Sequence, residues 1–450
     1  MKTRIAPYRC AGGLHPKYHK SATAASPVMQ VPLPANFAIS MGQHLGVPAK
    51  PIVRKNETVG RGQPLAEPAG FISAWIHAPT SGKIKAIDEQ WTANGRRATV
   101  ITLESDGEDR WADGYPLPPV PIDADGSEQL DRVAAAGIVG MGGAGFPTHV
   151  KLSPPPQKKI DTLIVNGAEC EPYLTADQRG MVEDADRLQR GIERIRRLLG
   201  TPAVRVAIED NKPDAITAME KALQSLDGDV ELIVLPTAYP QGAEKQLIYS
   251  VTGREVPSGG LPMDAGALVE NVGTAIAIRD ALDEGLPLTE RVMTATGDAL
   301  AQPANLRVRL GIAFDAIIEH CGGTRVPAAK VVCGGPMMGI ALPSLAAGVC
   351  KTTSGLLLLS AAAVHPFTSM PCISCGRCVM HCPMRLMPGT LSQASEAEAD
   401  EVLEEFRILD CMECGSCAFV CPAHRPMVQH MKNAKARIAL MRRERDAAAK

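Results

Sequence analysis

The chain has 450 residues, 45% of them hydrophobic and only 4% aromatic, with a formal net charge of −2 at pH 7. Such a length implies about three or four domains of ordinary size, and the balanced charge argues against a general nucleic-acid binder. Met1 to Thr23 carry charges without an apolar core, so no secretory signal is expected, and the longest strongly apolar run, Gly355 to Val364, is far short of the ~20 residues of a membrane-spanning helix.

Residues 1–30 read as an N-terminal arm. Ala11-Gly12-Gly13-Leu14-His15-Pro16 is turn-rich, Lys17, His19 and Lys20 are basic, and a packing extension is the expected role. From 31 to 115 the pattern changes to short strands with Gly and Pro at the corners. Thr58-Val-Gly-Arg-Gly-Gln-Pro-Leu-Ala-Glu67 and Ala78-Pro-Thr-Ser-Gly-Lys-Ile-Lys-Ala-Ile87 resemble the two halves of a biotinyl/lipoyl-type barrel-sandwich hybrid. Such carriers present a modified lysine between the halves. Here Pro68 to Trp75 contains none, so a docking or scaffold role is expected.

Pro116-Leu-Pro-Pro-Val-Pro121 reads as a stiff linker. An α/β segment, 126–285, follows. Strands are expected at Asp161 to Val165, Val204 to Ile208 and Val230 to Leu235, and helices at Ser127 to Ala136, Arg187 to Leu199, Asp214 to Leu226 and Glu244 to Val251. In the second of these helices Leu188, Ile192, Ile195 and Leu199 share one side and arginines the other. Strands alternating with helices imply a parallel sheet covered on both faces. Residues 286–350 carry a second, smaller α/β pattern of β-grasp type, in which Gly334 to Gly339 reads as a turn against neighbours.

Two cysteine runs mark the last segment, 365–450. Cys372, Cys375, Cys378, Cys382-Pro383 and Cys411, Cys414, Cys417, Cys421-Pro422 both follow C-x2-C-x2-C-x3-C-P. This is the spacing by which thiolates hold two [4Fe–4S] clusters, the fourth cysteine of each run reaching the other cluster. On that pattern Cys372, Cys375, Cys378 and Cys421 hold one cluster, and Cys411, Cys414, Cys417 and Cys382 the other. All-cysteine zinc sites come as separated C-x2-C pairs, which the duplicated triplets do not match. Five further cysteines are scattered without pairing, and iron–sulfur ligands beside free thiols point to a reducing compartment. Between the runs, Glu396 to Leu409 reads as one amphipathic helix on Ala399, Val402, Leu403, Phe406 and Leu409, which favours an α-helical ferredoxin domain. Met427 to Arg445 reads as a final helix with a methionine-rich stripe and a basic face, either solvated or docked on an acidic partner or membrane surface. His381, beside Cys382, is expected to pack at the surface.

Gly140, Gly142, Gly143 and Gly145 form a loop whose N–H groups can cradle phosphate, with Phe146 to stack on a ring and Lys151 to neutralise an anion. The next strand ends in Asn166-Gly-Ala-Glu169-Cys170-Glu171-Pro-Tyr173, so an amide and two carboxylates fall where open α/β sheets bind ligands. Solvated loop glutamates remain the plain alternative, and Cys170 reads as a small packing residue.

Gly140-Met-Gly-Gly-Ala-Gly-Phe-Pro-Thr-His-Val-Lys151-Leu and Asn166 to Tyr173, with Tyr239-Pro-Gln-Gly242-Ala-Glu244-Lys-Gln246 and Val269-Glu-Asn271-Val-Gly-Thr274, resemble the NADH-oxidising flavin subunit of respiratory complex I, and still more the C subunits of Rnf electron-transport complexes. The resemblance implies a multidomain α/β chain: barrel-sandwich hybrid, Rossmann-like flavin/NADH domain, β-grasp SLBB module and α-helical two-cluster ferredoxin domain. It implies FMN held by the Gly142–Gly145 loop, Lys151, Asn166 and Asn271, with NADH near Phe146, Glu169, Glu171 and Glu244. Ala168 stands where complex I has an acidic residue and Leu152 where it has an aromatic. The family further implies a peripheral location on the cytoplasmic face of the bacterial inner membrane. The chain would exchange electrons with an iron–sulfur subunit and ultimately ferredoxin or flavodoxin, with ion translocation by the complex. NADH yields two electrons together and a cluster takes one, so a flavin must stand between them and no acid–base residue is required. Two alternatives stay open: a soluble cobalamin reductase of the microcompartment type, which starts nearer its glycine loop, and a non-catalytic iron–sulfur adaptor without a flavin.

Overall fold

Four apolar runs build a wholly parallel sheet: Thr162–Gly167, Ala203–Glu209, Asp229–Leu235 and Ala267–Asn271. Alternate side chains serve two cores. Leu163, Val165, Val204, Val206 and Leu232 face helices Ala185–Leu199 and Val272–Asp283, whereas Ile164, Ala207, Ile233 and Val269 face helix Glu244–Thr252. Burial on both faces is why these strands lack polar alternation. Strand order runs from Asp229–Leu235 through Ala203–Glu209 to Thr162–Gly167, and Ala267–Asn271 then adds on the far side. The direction of winding therefore reverses beside Thr162–Gly167, and Asn166 lies opposite Asn271 at the carboxyl ends of the two strands. The computed structural model describes residues 1–200, 203–364 and 368–448.

The N-terminal segment packs as an extension, but through two strands the sequence does not announce. Lys2–Ile5 joins the parallel sheet beside Asp229–Leu235, and Val28–Gln30 pairs with Ala304–Arg309. Lys2–Ile5 is exposed along its whole length, so no apolar periodicity betrays it. Between these strands Leu14 exchanges backbone hydrogen bonds with Tyr239, and the Gly13 N–H donates to the His381 carbonyl at 3.1 Å.

A four-stranded and a three-stranded antiparallel sheet form the sandwich, closing on Leu65, Ile76, Ile84, Ile101 and Leu103. Its Pro68–Trp75 stretch is a loop whose Phe71 is 82% exposed. The proline-rich linker lies on the flavin-type unit: the Val120 N–H donates to the Leu282 carbonyl, and Arg194 donates to the carbonyls of Val120 and Pro121. Arg194 also pairs with Asp283 at 2.6 Å, so this arginine is buried and not on the solvated face its position on the helix suggests.

The β-grasp sheet extends past residue 350. The apolar run becomes strand Gly355–Ser360, central between Ala328–Cys333 and Glu290–Thr296. In the cysteine-rich unit the single helix expected over Glu396 to Leu409 shortens to Asp400–Glu405, and a separate helix, Pro388–Glu396, ends where it was expected to begin. Glu398, at φ +52°, breaks the register, and Ile408 enters the core in place of Leu409, which is 42% exposed. The last helix, Met427–Ala448, buries Met427, Met431, Ala434 and Ile438. Half of its basic face is neutralised within the chain by Lys435–Glu413, Arg437–Asp400 and Arg442–Glu404, and Lys432, Arg443 and Arg445 remain exposed.

Gly12 is the tightest point of the arm. It sits at φ +65°, and a Cβ there would lie 2.7 Å from the Cys382 carbonyl. Gly12→Ala should therefore destabilise the contact by about 1–3 kcal/mol through strain and steric exclusion. Faster protease cleavage between the β-grasp sheet and the cysteine-rich unit, with the parallel-sheet unit left intact, is the expected readout.

Candidate functional site

The glycine loop closes on itself at the switch point. The Gly140 N–H donates to the Phe146 carbonyl, and Met141 N–H donates to Thr274 Oγ1 at 2.9 Å. Gly142 lies against the Asn271 side chain, where a Cβ would stand 2.7 Å from Nδ2. Gly143 faces open space, and Gly145, at φ +72°, touches His44 and Thr352 of neighbouring units. Asn271 caps helix Val272–Asp283, accepting from the N–H groups of Gly273 and Thr274 and donating to Asp177 at 2.7 Å. Asn166 donates to the Gly242 carbonyl at 2.8 Å and accepts from the Ala168 N–H.

Lys151 reaches across the sheet end to the Val269 carbonyl, to Glu244 at 3.1 Å and to Glu270 at 4.0 Å. Burial opposes its charge, but Glu270 and Glu244 outweigh it and hold its pKa above the usual lysine value. Burial pushes the Glu270 carboxyl up to about 6, with Lys151 opposing, and one of its oxygens is buried without a hydrogen-bond partner. Burial, reinforced by Glu169, likewise raises Asp177. Backbone donors at a helix start, one lysine, and carboxyls that shed charge on burial make a cradle for a polyhydroxylated phosphate ester.

Neither loop glutamate is a solvated bystander. Glu169, at φ +45°, accepts from the N–H groups of Asp177 and Gln178 and so caps helix Ala176–Glu183. Glu171 accepts from the N–H groups of Met337 and Met338 in the Gly334–Gly339 turn, and burial pushes it up to about 7. That turn is thus a docking element, as its sequence suggests. Phe146 is half-buried behind the loop. Lys20 escapes sequence reasoning. Its ammonium donates to the carbonyls of Glu169 (2.8 Å), Glu171 (3.0 Å) and Leu174, which uses all three of its donors. Asp177, Glu270 and Thr274 are also missed. A charged residue inside an apolar strand is the signal that marks Glu270.

The structure places one fourth cysteine with the triplet of the other run: Cys382 lines a pocket together with Cys411, Cys414 and Cys417. Cys421 packs instead with Cys378, and the sulfurs of Cys378 and Cys372 flank Gly389. The runs repeat their backbone as well: Ser374 and Glu413, Gly376 and Gly415, and Arg385 and His424 are matched left-handed residues. Each pair turns the chain around its cysteines at the same step. His381 is spent on the Arg377 carbonyl at 2.9 Å. Cys170 is buried, accepts from the Gly242 N–H at 3.3 Å and is pushed up to about 12 by burial, as a packing thiol should be.

Residues 133–280 match the Nuo51 FMN-binding domain, 8–108 the RnfC barrel sandwich hybrid domain, 292–341 the SLBB domain and 371–424 a 4Fe-4S dicluster domain. The chain is 47% identical, over 94% of its length and 93% of the relative's, to the C subunit of the proton-translocating ferredoxin:NAD(+) oxidoreductase complex of Clostridium ljungdahlii. It is 44% identical to the C subunit of the Na(+)-translocating counterpart in Acetobacterium woodii, covering 96% and 98%, and 44% identical to that of the ion-translocating oxidoreductase complex of Rhodobacter capsulatus, covering 95% and 83%. A solved NAD+-reducing [NiFe]-hydrogenase chain shares the fold, with TM-score 0.51 and 19% identity over 69% of this chain and 64% of that one. With the glycine-loop cradle and the two cysteine runs on one chain, these matches establish that it belongs to the RnfC family, the C subunits of ion-translocating (Rnf) oxidoreductase complexes.

Proposed function

We propose that the chain oxidises NADH for a membrane-bound Rnf-type complex, passing electrons by way of FMN and two [4Fe–4S] clusters to other subunits and ultimately to ferredoxin or flavodoxin. The observation that carries this reading is the pairing, in one chain, of a phosphate-ester cradle at the sheet switch point with a four-cysteine cavity, joined by a buried hydrogen bond from Tyr239 to Cys414. Among the described residues no helix is long and apolar enough to cross a membrane. The protein is assigned to the cytoplasmic face of the inner membrane, against an iron–sulfur partner, with ion translocation in other subunits.

The residues present fit FMN. Gly143 leaves room above the loop, the N–H groups of Gly273 and Thr274 open toward it once Asn271 swings away, and the Glu270 oxygen without a hydrogen bond can take a donor such as a ribityl hydroxyl. Bound there, FMN supplies the conversion between a two-electron donor and one-electron acceptors. Lys151 balances the phosphate charge, and Asn166 and Asn271 fix orientation by hydrogen bonding. Glu169, Glu171, Glu244 and Phe146 are assigned to the nicotinamide side, where the two loop glutamates must exchange backbone partners for nucleotide hydroxyls and amides. The cysteines fit two cubanes, with Cys382 and Cys421 crossing over.

Addition of NADH to anaerobically purified protein should bleach the flavin and bring up reduced-cluster EPR signals. Bound FMN with neither centre reduced would rule the reading out. Lys151→Ala should weaken FMN retention roughly 10- to 100-fold, the loss of one charge-assisted hydrogen bond worth ~1.5–3 kcal/mol, measured as flavin bound per chain. FMN affinity should also fall as pH rises through about 6, because ionised Glu270 adds negative charge to a cradle that holds an anion. The Glu270→Gln variant should show a flatter profile, the remaining slope being that of the phosphate itself. Cys421→Ser should abolish the cluster of Cys372, Cys375 and Cys378, halve the iron content, and spare the cluster of its own run.

A further inference from the structure

The contacts between the flavin-type unit and the cysteine-rich unit are distributed unevenly around the two cluster sites. Tyr239 Oη donates to the Cys414 carbonyl at 2.6 Å, with both residues buried. Gln246 Nε2 donates to the carbonyl of Pro383, the residue after Cys382, at 3.1 Å. Asp410, the residue before Cys411, accepts from Ser258 and from the Gly259 N–H and lies 4.0 Å from the Lys245 ammonium. From the arm, Gly12 abuts the Cys382 carbonyl, and Leu14 shares an apolar cluster with Cys170, Tyr239 and Cys414. From the β-grasp unit, the Met337 carbonyl stands 3.1 Å from where a Cβ on Gly415 would lie. Each of these contacts falls on or beside Cys382, Cys411 or Cys414. The other site faces outward: Cys375 is exposed, and Ile373, between Cys372 and Cys375, is 65% exposed.

A short chain path joins the cradle to this inner site. Asn166, at the cradle, bonds the Gly242 carbonyl, and Tyr239, three residues earlier, bonds Cys414. Those three residues span no more than about 11 Å even fully extended.

Resting on the function proposed above, we infer that the cluster of Cys382, Cys411, Cys414 and Cys417 receives electrons from the flavin first, that the cluster of Cys372, Cys375, Cys378 and Cys421 hands them outward, and that Tyr239 is the positioning residue that couples the first step. One electron leaves the flavin and the same electron arrives at the inner cluster. No bond to Tyr239 forms or breaks, and its O–H, aimed at a ligand's carbonyl, favours the reduced cluster by drawing electron density from it.

The test reduces the bound flavin with light and EDTA, so that it does not depend on NADH being the donor. Cys421→Ser, lacking the outer cluster, should still show fast reduction of the inner one. Cys417→Ser, lacking the inner cluster, should leave the outer cluster reducible by dithionite but slow to accept electrons from the flavin. Tyr239→Phe keeps every ligand. In mediator redox titrations followed by EPR it should lower the midpoint of one cluster, the one retained in Cys421→Ser, by the equivalent of about a two- to tenfold change in equilibrium constant. Equally fast flavin-to-cluster transfer in Cys417→Ser and wild type would overturn the order. A Tyr239→Phe protein whose two clusters both keep their wild-type midpoints, or shift together, would overturn the role of Tyr239. Should either cysteine variant lose both clusters, the Tyr239→Phe titration decides by itself, because a shift confined to the signal of the outer cluster overturns the assignment.

Discussion

The Lys20 ammonium, with a carbonyl on each of its three donors, is the interaction on which the nucleotide side of the site depends. It gathers the carbonyls of Glu169, Glu171 and Leu174 into one turn, and that turn forces Glu169 and Tyr173 to positive φ of 45° and 70°. Neighbouring arm residues reinforce it: the Tyr173 N–H donates to the Tyr18 carbonyl, and the His19 and Tyr173 rings stack at 4.7 Å. Burial works against the charge on Lys20, with nearby Glu169 offsetting it, so the lysine holds its place by hydrogen bonding more than by any ion pair. The loop then has only one way to aim its two carboxylates, Glu169 back at the helix start and Glu171 out at the β-grasp turn. A segment with no chemistry of its own thereby shapes the part of the site that has most.

Electrostatics explain how a cradle rich in carboxyls can accept an anion. Glu270 and Glu244 flank Lys151 at the sheet end, and Asp177 stands beside Asn271. If all were ionised, the field there would repel phosphate. Burial weakens that obstacle by raising Asp177 and Glu270, so on the acid side of neutrality part of the negative charge is shed and the helix start of Val272–Asp283 can dominate. The same carboxyls, protonated, are hydrogen-bond donors as well as acceptors, which suits a ligand with many hydroxyls.

Much of this was legible in the sequence, and the misses share physical causes. Three of the parallel strands announce themselves because burial on both faces favours Val, Ile and Leu, whereas Ala267–Asn271, which carries Glu270, does not. The cysteine crossover is readable because cubane geometry fixes ligand spacing, and the cavity that Cys382 shares with Cys411, Cys414 and Cys417 follows from it. The strands of the arm are not readable, because Lys2–Ile5 adds to a sheet edge with every side chain in solvent. Glu396 to Leu409 misleads because its apolar spacing is helical while Glu398 takes a left-handed turn that spacing does not encode. The arginine stripe likewise hides Arg194, whose burial depends on carbonyls of a linker far away in sequence. Asn166 and Asn271 lie side by side at the strand ends, and Lys151 reaches the same sheet end through the Val269 carbonyl. Glu169 and Glu171 are held by backbone partners no motif reveals.

The β-grasp unit is where the two sides meet. Its Gly334–Gly339 turn offers two N–H groups to Glu171 and, one residue along, lays the Met337 backbone against Gly415 beside Cys414. Gly335 permits the first contact, since a Cβ there would stand 2.3 Å from the Glu171 carboxylate, and Gly415, at φ +80°, permits the second. The one packed turn thus holds the Glu171 carboxylate and the backbone beside Cys414 in fixed relation. The Gly-Gly-Pro-Met-Met-Gly sequence is too tight for a cofactor and well suited to this use. It keeps a carboxylate on one side of the turn and a thiolate on the other in fixed relation.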